Sequence, residues 1–355
     1  MPGSNPSLLN SKEKKKAADF YSGILQNNRT VLSKAITLCE SQKEEHRKLS
    51  GSILEKCYPH SGNSLRIGIT GAPGVGKSTF IEALGTFLTT KGKKTAVLAI
   101  DPSSKKNSGS ILGDKTRMDN LSASENAFIR PSPSSGEFGG TGPATRESII
   151  LCEAAGYEII FIETVGVGQS ETEVNAMVDF FILLTMAGAG DDLQGIKRGI
   201  MEMAELVIIN KTDIGRTPLG KGNQDAEGLL FKSQLSNALK MFPKHEGKWE
   251  VKVLSCSSLT GKGIKEIWKE IENYFLVVKK NGYFLSKRKN QLLSWFSDKL
   301  EKGLKNYFLG NDEVRKSIGK MEKEILNGAT LPGIAANNIL KKLPKHLFLN
   351  TSKNF

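Results

Sequence analysis

One glycine-rich segment constrains this chain more than any other stretch of its sequence. It reads Gly71-Ala72-Pro73-Gly74-Val75-Gly76-Lys77-Ser78, matches the pattern G-x-x-x-x-G-K-[ST], and is followed by Thr79. The apolar run 65–69 predicts a buried strand before it, and the apolar spacing in 79–90 predicts a helix after it. In that context, loop N–H groups and the positive end of the helix bind phosphates. Residues 71–79 are therefore predicted to bind a nucleotide, with Lys77 at its outer phosphates and Ser78 at Mg²⁺.

Apolar runs alternate with helical periodicities across the central part of the chain, over residues 65–278. This alternation predicts an α/β fold with a doubly wound, mostly parallel sheet of the P-loop NTPase type. A flexible tail (1–16) and a helical segment (17–58) are predicted before it, and a helical arm (281–355) after it. The arm carries an apolar stripe that packs either on the core or on a second copy of the chain.

Two carboxylates are expected at the ligand-binding edge of this sheet. Ligands of doubly wound sheets bind at the carboxyl ends of the strands, where Asp101 and Glu163 are both predicted to lie. We expect their strands to flank the strand before the glycine loop, so that both carboxylates hold Mg²⁺ directly or through water. Asp114, in the loop after Asp101, is either another acid near the metal or a solvated loop residue.

A second signature, Asn210-Lys211-Thr212-Asp213, follows another predicted buried strand and fits N-K-x-D. The Asp213 carboxylate can accept hydrogen bonds from N1–H and the N2 amino group of guanine, a pairing that adenine cannot offer. Ser257-Ser258-Leu259 follows a later strand and resembles the GTPase loop whose backbone amide supports the guanine O6. The chain is therefore predicted to bind GTP and GDP, with the Lys211 stem packed along the base.

The segment from Glu163 to Gly166, Glu-Thr-Val-Gly, departs by one methylene from the D-x-x-G of Ras-like GTPases. Its glutamate indicates a different class of GTPase. The N–H of Gly166 is predicted to sense the γ-phosphate, and residues 167–171 to form a mobile switch. Within that switch, Gln169 either positions the attacking water or is simply solvated.

The formal net charge of +13 is spread over nearly every segment as lysine, and no basic run is interleaved with aromatic residues. We expect a solvated lysine-rich exterior and no nucleic-acid partner, although an acidic protein partner would suit this charge. No apolar stretch reaches the length of a membrane span, and the amino terminus lacks the apolar core of a signal peptide. The four widely spaced cysteines show no zinc-ligand spacing, so a reduced, cytoplasmic protein is predicted.

Longer stretches carry a more specific resemblance. They are GITGAPGVGKSTFIEALG (68–85), DPSSKKNSGSILGDKTRM (101–118), FIRPSPSSGEFGGTG (128–142), ETVGVGQSE (163–171), GAGDDLQGIKRGI (188–200), NKTD (210–213) and CSSLTGKGI (256–264). With these in order, the chain resembles the methylmalonyl-CoA mutase-associated GTPases, relatives of the metal-insertion GTPases, over about residues 17 to 310. Beyond residue 310 the sequence shows no clear family pattern.

The resemblance implies a homodimeric G-protein chaperone that gates adenosylcobalamin loading into a mutase and protects or reactivates that enzyme, coupled to GTP hydrolysis. The client would be methylmalonyl-CoA mutase or a related acyl-CoA mutase. The resemblance also implies a third switch at 190–197 that couples the nucleotide to the partner, with Lys197 as its functional lysine. By the same matching, Asp101, Asp114 and Glu163 take the Mg²⁺-linked positions, and the helical arm forms the dimer contact. The catalytic candidates are Lys77, Asp101, Glu163 and Lys197.

Two other functions fit the sequence less well. An ATP-dependent kinase linked to amino-acid transport would need adenine recognition, which Asp213 opposes. A metal-insertion GTPase for nickel would need clusters of cysteine and histidine near the glycine loop, and the sequence has none there.

Overall fold

The structure, a computed structural model, describes residues 10–101, 118–133, 144–164, 166, 170–187, 198–213, 224–243 and 245–341. The strands are β1 (Leu65–Gly71), β2 (Thr95–Asp101), β3 (Ala127–Pro133), β4 (Ile159–Glu163), β5 (Phe180–Met186), β6 (Leu206–Asn210) and β7 (Lys252–Ser255). The α-helices are α1 (Ser11–Leu25), α2 (Arg29–Glu40), α3 (Glu44–Cys57), α4 (Lys77–Thr90), α5 (Asp119–Ala123), α6 (Thr145–Ala154), α7 (Ser170–Asn175), α8 (Arg198–Met203), α9 (Gln224–Lys240), α10 (Ile264–Lys280), α11 (Tyr283–Leu309), α12 (Asp312–Leu326) and α13 (Pro332–Leu340).

The described strands form one sheet in the order β3-β2-β4-β1-β5-β6-β7, and every neighbouring pair is parallel. The predicted α/β fold is confirmed. Strands β2, β4, β6 and β7 end at Asp101, Glu163, Asn210 and Ser255, so these residues lie at one edge of the sheet.

One expectation about the strand order is wrong. Strand β1 is flanked by β4 and β5, whereas β2 lies on the far side of β4. Asp101 therefore ends a strand that is one position removed from the glycine loop, and Glu163 ends the adjacent strand. The physical reason is that a helical crossover can carry the chain past a neighbouring position, so strand order in space does not follow the order in sequence.

Both faces of the sheet are buried, and β4 shows how. Ile159 and Phe161 belong to a core cluster with side chains of α4 and α10, whereas Ile160 and Ile162 belong to a cluster with α1, α2, α3 and α6. Successive side chains of a strand point to opposite faces, so a strand covered on both faces needs an unbroken apolar run. This is why the strand is recognisable in the sequence.

The first helix begins earlier than its apolar spacing indicates. Asn10 and Glu13 form a reciprocal capping box: Asn10 Oδ1 accepts from Glu13 N at 2.9 Å, and Asn10 N donates to Glu13 Oε2 at 3.0 Å. These two bonds satisfy backbone donors that the helix itself cannot, so α1 starts at Ser11 and includes part of the predicted tail.

Two buried acidic residues at the amino ends of β5 and β6 hold the start of α11. Arg288 donates to both carboxylate oxygens of Asp179 at 2.8 and 2.7 Å, and Lys287 Nζ donates to Glu205 Oε1 at 2.8 Å. His245 Nε2 lies 3.3 Å from the same Glu205 oxygen. Burial alone would raise the pKa of Glu205, yet Lys287 and His245 hold that pKa below its ordinary value. The network ties the first turns of α11 to the sheet.

The chain divides into two compact units, residues 1–288 and 289–355, at a point inside α11. In its described part, the second unit contains the rest of α11 together with α12 and α13. The apolar stripe of α11 is exposed at Leu292, Leu293, Phe296, Leu300 and Leu304.

None of the four cysteines, all of which the structure describes, forms a disulfide. Burial raises the pKa of Cys57 and of Cys256 to about 11, so both are protonated thiols at neutral pH. Among the described helices, none combines the length and apolarity needed to cross a membrane.

Candidate nucleotide site

The glycine-rich loop leads from the carboxyl end of β1 into the first turn of α4, as the sequence predicted. Gly76, just before the helix, has a φ of +94°, and a Cβ at this position would lie 2.8 Å from Asn210 Nδ2. Glycine therefore permits both the turn and the close approach of the β6 side chain. Ala72, Pro73 and Gly74 are exposed, so a ligand can reach this part of the loop without rearrangement of the core.

Lys77 begins α4 and is buried. Its Nζ donates to the Gly71 carbonyl oxygen at 2.8 Å and to that of Ala72 at 3.4 Å. Burial lowers the pKa of Lys77, and the carboxylates of Glu163 and Glu171 act against that decrease. The ammonium group is thus held by carbonyl oxygens of the glycine loop, and two acidic residues favour its charged form.

Ser78 and Glu163 meet beside this lysine. Ser78 Oγ donates to Glu163 Oε1 at 2.9 Å, because β4 lies next to β1 in the sheet. A hydroxyl and a carboxylate are hard oxygen ligands of the kind that Mg²⁺ prefers, so the pair fits a magnesium site. Asp101 ends its strand at the same edge, and Asp114 lies outside the described residues.

The Asn210 side chain connects three parts of the site. Its Nδ2 donates to the Val75 carbonyl oxygen in the glycine loop at 3.0 Å. Its Oδ1 accepts from Ser258 N at 3.1 Å, from Ser258 Oγ at 2.7 Å and from Cys256 Sγ at 3.4 Å. A buried amide with this many partners has a fixed orientation, so the phosphate-binding loop and the loop after β7 are held in register.

The other predicted base-recognition residues follow Asn210 directly or lie in the loop after β7. Lys211 has a φ of +61° and donates from Nζ to the Gly74 carbonyl oxygen at 2.7 Å, while Asp213 is exposed two residues further on. Ser257 N donates to the Lys262 carbonyl oxygen at 3.0 Å, so that serine shapes the turn. Leu259, in the same loop, is 78% exposed.

Gly166 brings the segment after β4 against the glycine loop. It has a φ of +84°, and a Cβ there would overlap the Gly71 carbonyl oxygen and lie 2.8 Å from Lys77 Nζ. Only glycine allows this approach of two backbones. Gln169 and Lys197, by contrast, lie outside the described residues.

Comparison with known proteins agrees with this geometry. A family model described as methylmalonyl-CoA mutase-associated GTPase MeaB matches residues 32–313. The chain belongs to this family. GTPase ArgK of Escherichia coli is 46% identical over 315 residues, covering 89% of this chain and 93% of that protein. The methylmalonic aciduria type A homolog, mitochondrial, of Mus musculus is 41% identical over 343 residues, covering 94% of this chain and 81% of that protein.

A solved structure also matches along nearly the whole chain. The crystal structure titled LAO/AO transport system kinase has a TM-score of 0.70 and 34% identity, and the match covers 94% of this chain and 98% of that one. The residues that match the methylmalonyl-CoA mutase-associated GTPase family model include the glycine loop, Glu163, Asn210 and Ser258. The described site therefore lies wholly within the part of the chain that shows the family.

Lys77→Ala tests the phosphate-binding role in this member of the methylmalonyl-CoA mutase-associated GTPase family. Loss of a charge-assisted hydrogen bond to phosphate is expected to weaken GTP and GDP binding about 100-fold, measured by calorimetric titration. Lys91→Ala, at the opposite end of α4, is the matched control and should bind as the wild type does. Equal affinities for the wild type and Lys77→Ala would contradict the assignment.

Two features of the site were not predicted from the sequence. The first is the bridge from Asn210 to Val75 and Ser258, which the N-K-x-D match could have indicated. The second is the burial of Glu171, for which the sequence offers no signal because a glutamate in a polar segment usually indicates a solvated residue.

Proposed function

We propose that the chain is a GTP-hydrolysing chaperone that gates adenosylcobalamin loading into methylmalonyl-CoA mutase, or a related acyl-CoA mutase, and protects or reactivates that enzyme. The main support for the nucleotide-binding part of this proposal is the Asn210 bridge, which joins the glycine loop to the loop after β7. Family membership supports the partner part. The net charge of +13 suits an acidic surface on that partner.

Different elements of the site are assigned to different parts of the nucleotide. The loop N–H groups and the Lys77 ammonium bind the phosphates, and Asp213 accepts hydrogen bonds from the guanine edge. We assign the support of the base to the backbone amide of Leu259. Ser78 and Glu163 would hold Mg²⁺, with Asp101 and Asp114 as further acidic groups, and the ion supplies positive charge for the leaving and transferred phosphate oxygens.

Hydrolysis is proposed to act as a signal to the partner. The Gly166 backbone adjoins Lys77, so the presence or loss of a γ-phosphate changes what its N–H can contact. The segment 190–197 follows β5, which pairs directly with β1, and Lys197 is proposed to couple this segment to the mutase. These two segments are the elements through which nucleotide state would alter the partner.

We further propose that the protein is a cytoplasmic homodimer. Five large apolar side chains between residues 292 and 304 of α11 are exposed in the described chain, and a second copy would remove this surface from water. They are Leu292, Leu293, Phe296, Leu300 and Leu304. Association through this stripe gives the helical arm of the second unit a function.

Complex formation with the mutase tests this proposal. Gel filtration of the full chain with purified methylmalonyl-CoA mutase should give a complex whose yield differs between GDP and a non-hydrolysable GTP analogue. Lys197→Ala should reduce that nucleotide dependence, whereas Lys34→Ala on α2 should retain it. The coupling proposal would be contradicted if the complex forms equally in both nucleotide states, or if no complex forms at micromolar concentrations.

A further inference from the structure

Two buried hydroxyl groups meet where the chain leaves the sheet after β4. Thr70 lies in β1, Thr164 directly follows β4, and each residue is 1% exposed. Thr164 Oγ1 donates to Thr70 Oγ1 at 2.9 Å. Valine has nearly the same shape as threonine and suits a strand that is covered on both faces, so packing alone does not require hydroxyl groups here. Because a buried hydroxyl without a partner is costly, the two residues depend on each other.

The pair attaches this segment to β1 beyond the end of the strand pairing. The register between β1 and β4 ends at Ile69 of β1. Thr164 N then donates to the Ile69 carbonyl oxygen at 3.0 Å, and the Thr164 side chain adds the bond to Thr70. Two residues further on, Gly166 lies so close to β1 that a Cβ there would overlap the Gly71 carbonyl oxygen. Successive residues of β1 therefore hold Thr164 and then contact Gly166.

The Gly71 carbonyl oxygen is the point at which this attachment reaches the glycine loop. It accepts from Lys77 Nζ at 2.8 Å, and a Cβ on Gly166 would lie 2.8 Å from the same Nζ. A displacement of the segment at Thr164 would therefore change the distance between the Gly166 backbone and the Lys77 ammonium. Because the bond between the hydroxyl groups is buried, it is electrostatically stronger than the same bond in water and fixes the segment more firmly.

We propose that Thr164, held by Thr70, is a positioning residue that sets the Gly166 backbone at the γ-phosphate and thereby strengthens the binding of GTP but not of GDP. The inference rests on the proposed function, in which the Gly166 N–H responds to the γ-phosphate. It names the side-chain contact that fixes the start of this segment. GDP has no γ-phosphate, so its binding does not depend on that contact.

Thr164→Val removes the donor and keeps the shape of the side chain. The affinity for a non-hydrolysable GTP analogue is expected to fall about fivefold, which corresponds to the net contribution of one hydrogen bond. The affinity for GDP should stay at the wild-type value. Calorimetric titration of the full chain gives both affinities, and the readout is the ratio of GTP-analogue affinity to GDP affinity. A general loss of stability would weaken both nucleotides and leave this ratio unchanged.

Thr70→Val breaks the same bond from the other side and should lower the ratio by the same factor. The double variant, Thr70→Val with Thr164→Val, should lower it no further, because the two substitutions remove a single interaction. The double variant also leaves neither hydroxyl group buried without its partner. It therefore decides the question where a single variant, with one unpaired hydroxyl, fails to fold.

Matched controls separate the bond from general effects of the substitution. Thr164→Ser keeps a hydroxyl group at this position and should keep the wild-type ratio. Thr95→Val makes the same substitution at another fully buried threonine, which begins β2 and so lies away from the carboxyl ends of the strands. It should bind both nucleotides as the wild type does. Thermal melting of each variant without nucleotide reports whether the variant is folded.

The outcomes separate this proposal from the function on which it rests. A ratio that falls in Thr164→Val and in the double variant, and is retained in Thr164→Ser and Thr95→Val, supports it. An unchanged ratio in a folded double variant, beside a wild type that binds both nucleotides saturably, overturns it and leaves the proposed function standing. A folded wild type that binds neither nucleotide overturns both.

Discussion

Asp213→Asn is expected to lower the affinity for GTP by at least ~100-fold and to shift preference towards xanthosine triphosphate. The carboxylate offers two acceptors to guanine N1–H and the N2 amino group, whereas the amide turns one of those acceptors into a donor. A site built around paired polar groups rejects the mismatched base strongly, by up to about 10⁴- to 10⁵-fold in the most selective cases. Xanthine carries a carbonyl where guanine carries the N2 amino group, so it matches the amide.

The measurement is competition of GTP, ATP and xanthosine triphosphate against a fluorescent guanine nucleotide. Asp298→Asn is a suitable control, because that aspartate is also exposed but lies on α11. The wild type should prefer GTP to ATP, which also separates a guanine-nucleotide enzyme from an ATP-dependent kinase. An unchanged ratio of GTP to xanthosine triphosphate affinity in Asp213→Asn would show that another group reads the base.

Lys287→Met is expected to destabilise the fold by about 3–5 kcal/mol, because it removes one partner of a buried ion pair. The variant leaves Glu205 in the core with the His245 imidazole 3.3 Å away and without the Lys287 ammonium. The free energy of unfolding, measured with urea, should show the loss. Lys289→Met, on the exposed side of the same helical turn, should change stability by no more than about 0.5 kcal/mol.

The ion pair between Glu205 and Lys287 also predicts how the free energy of unfolding depends on pH. The folded state holds the pKa of Glu205 below its ordinary value, so its stabilising contribution is complete above that value. The contribution is lost as the pH falls through the lower folded-state pKa. The stability difference between the wild type and Lys287→Met should therefore shrink in acid.

The double variant Glu205→Gln with Lys287→Met is the corresponding control. It removes both charges and should recover a large part of the stability that Lys287→Met loses. Equal stabilities for Lys287→Met and Lys289→Met would contradict the role given to this network. A double variant that is no more stable than Lys287→Met would assign the loss to packing.

The sequence alone revealed much of the fold, for reasons visible in particular elements. The apolar runs of β1, β4 and β6 stand out because both faces of the sheet are covered, and the runs of β4 and β6 end at the polar residues Glu163 and Asn210. The glycines at 71, 74 and 76 mark a turn that few other residues permit.

Other features depend on distances that a linear pattern does not contain. The position of β2 beyond β4, which moves Asp101 away from the glycine loop, follows from crossovers that skip a strand. Glu205 and Lys287 pair across 82 residues. Glu171 has the sequence context of a solvated glutamate, yet the structure buries it. Buried charges of this kind are specified by their partners in space, so single-sequence periodicity does not reveal them.

Partner-dependent GTP turnover tests the central claim most directly. The full chain is assayed for GTP hydrolysis alone and with purified methylmalonyl-CoA mutase, or the isobutyryl- or ethylmalonyl-type mutases, over a range of mutase concentrations. Lys77→Ala serves to show that the measured turnover belongs to this site. The account predicts slow turnover by the chain alone and a saturable increase with at least one mutase. Turnover that none of these mutases changes, at saturating concentrations, would contradict it.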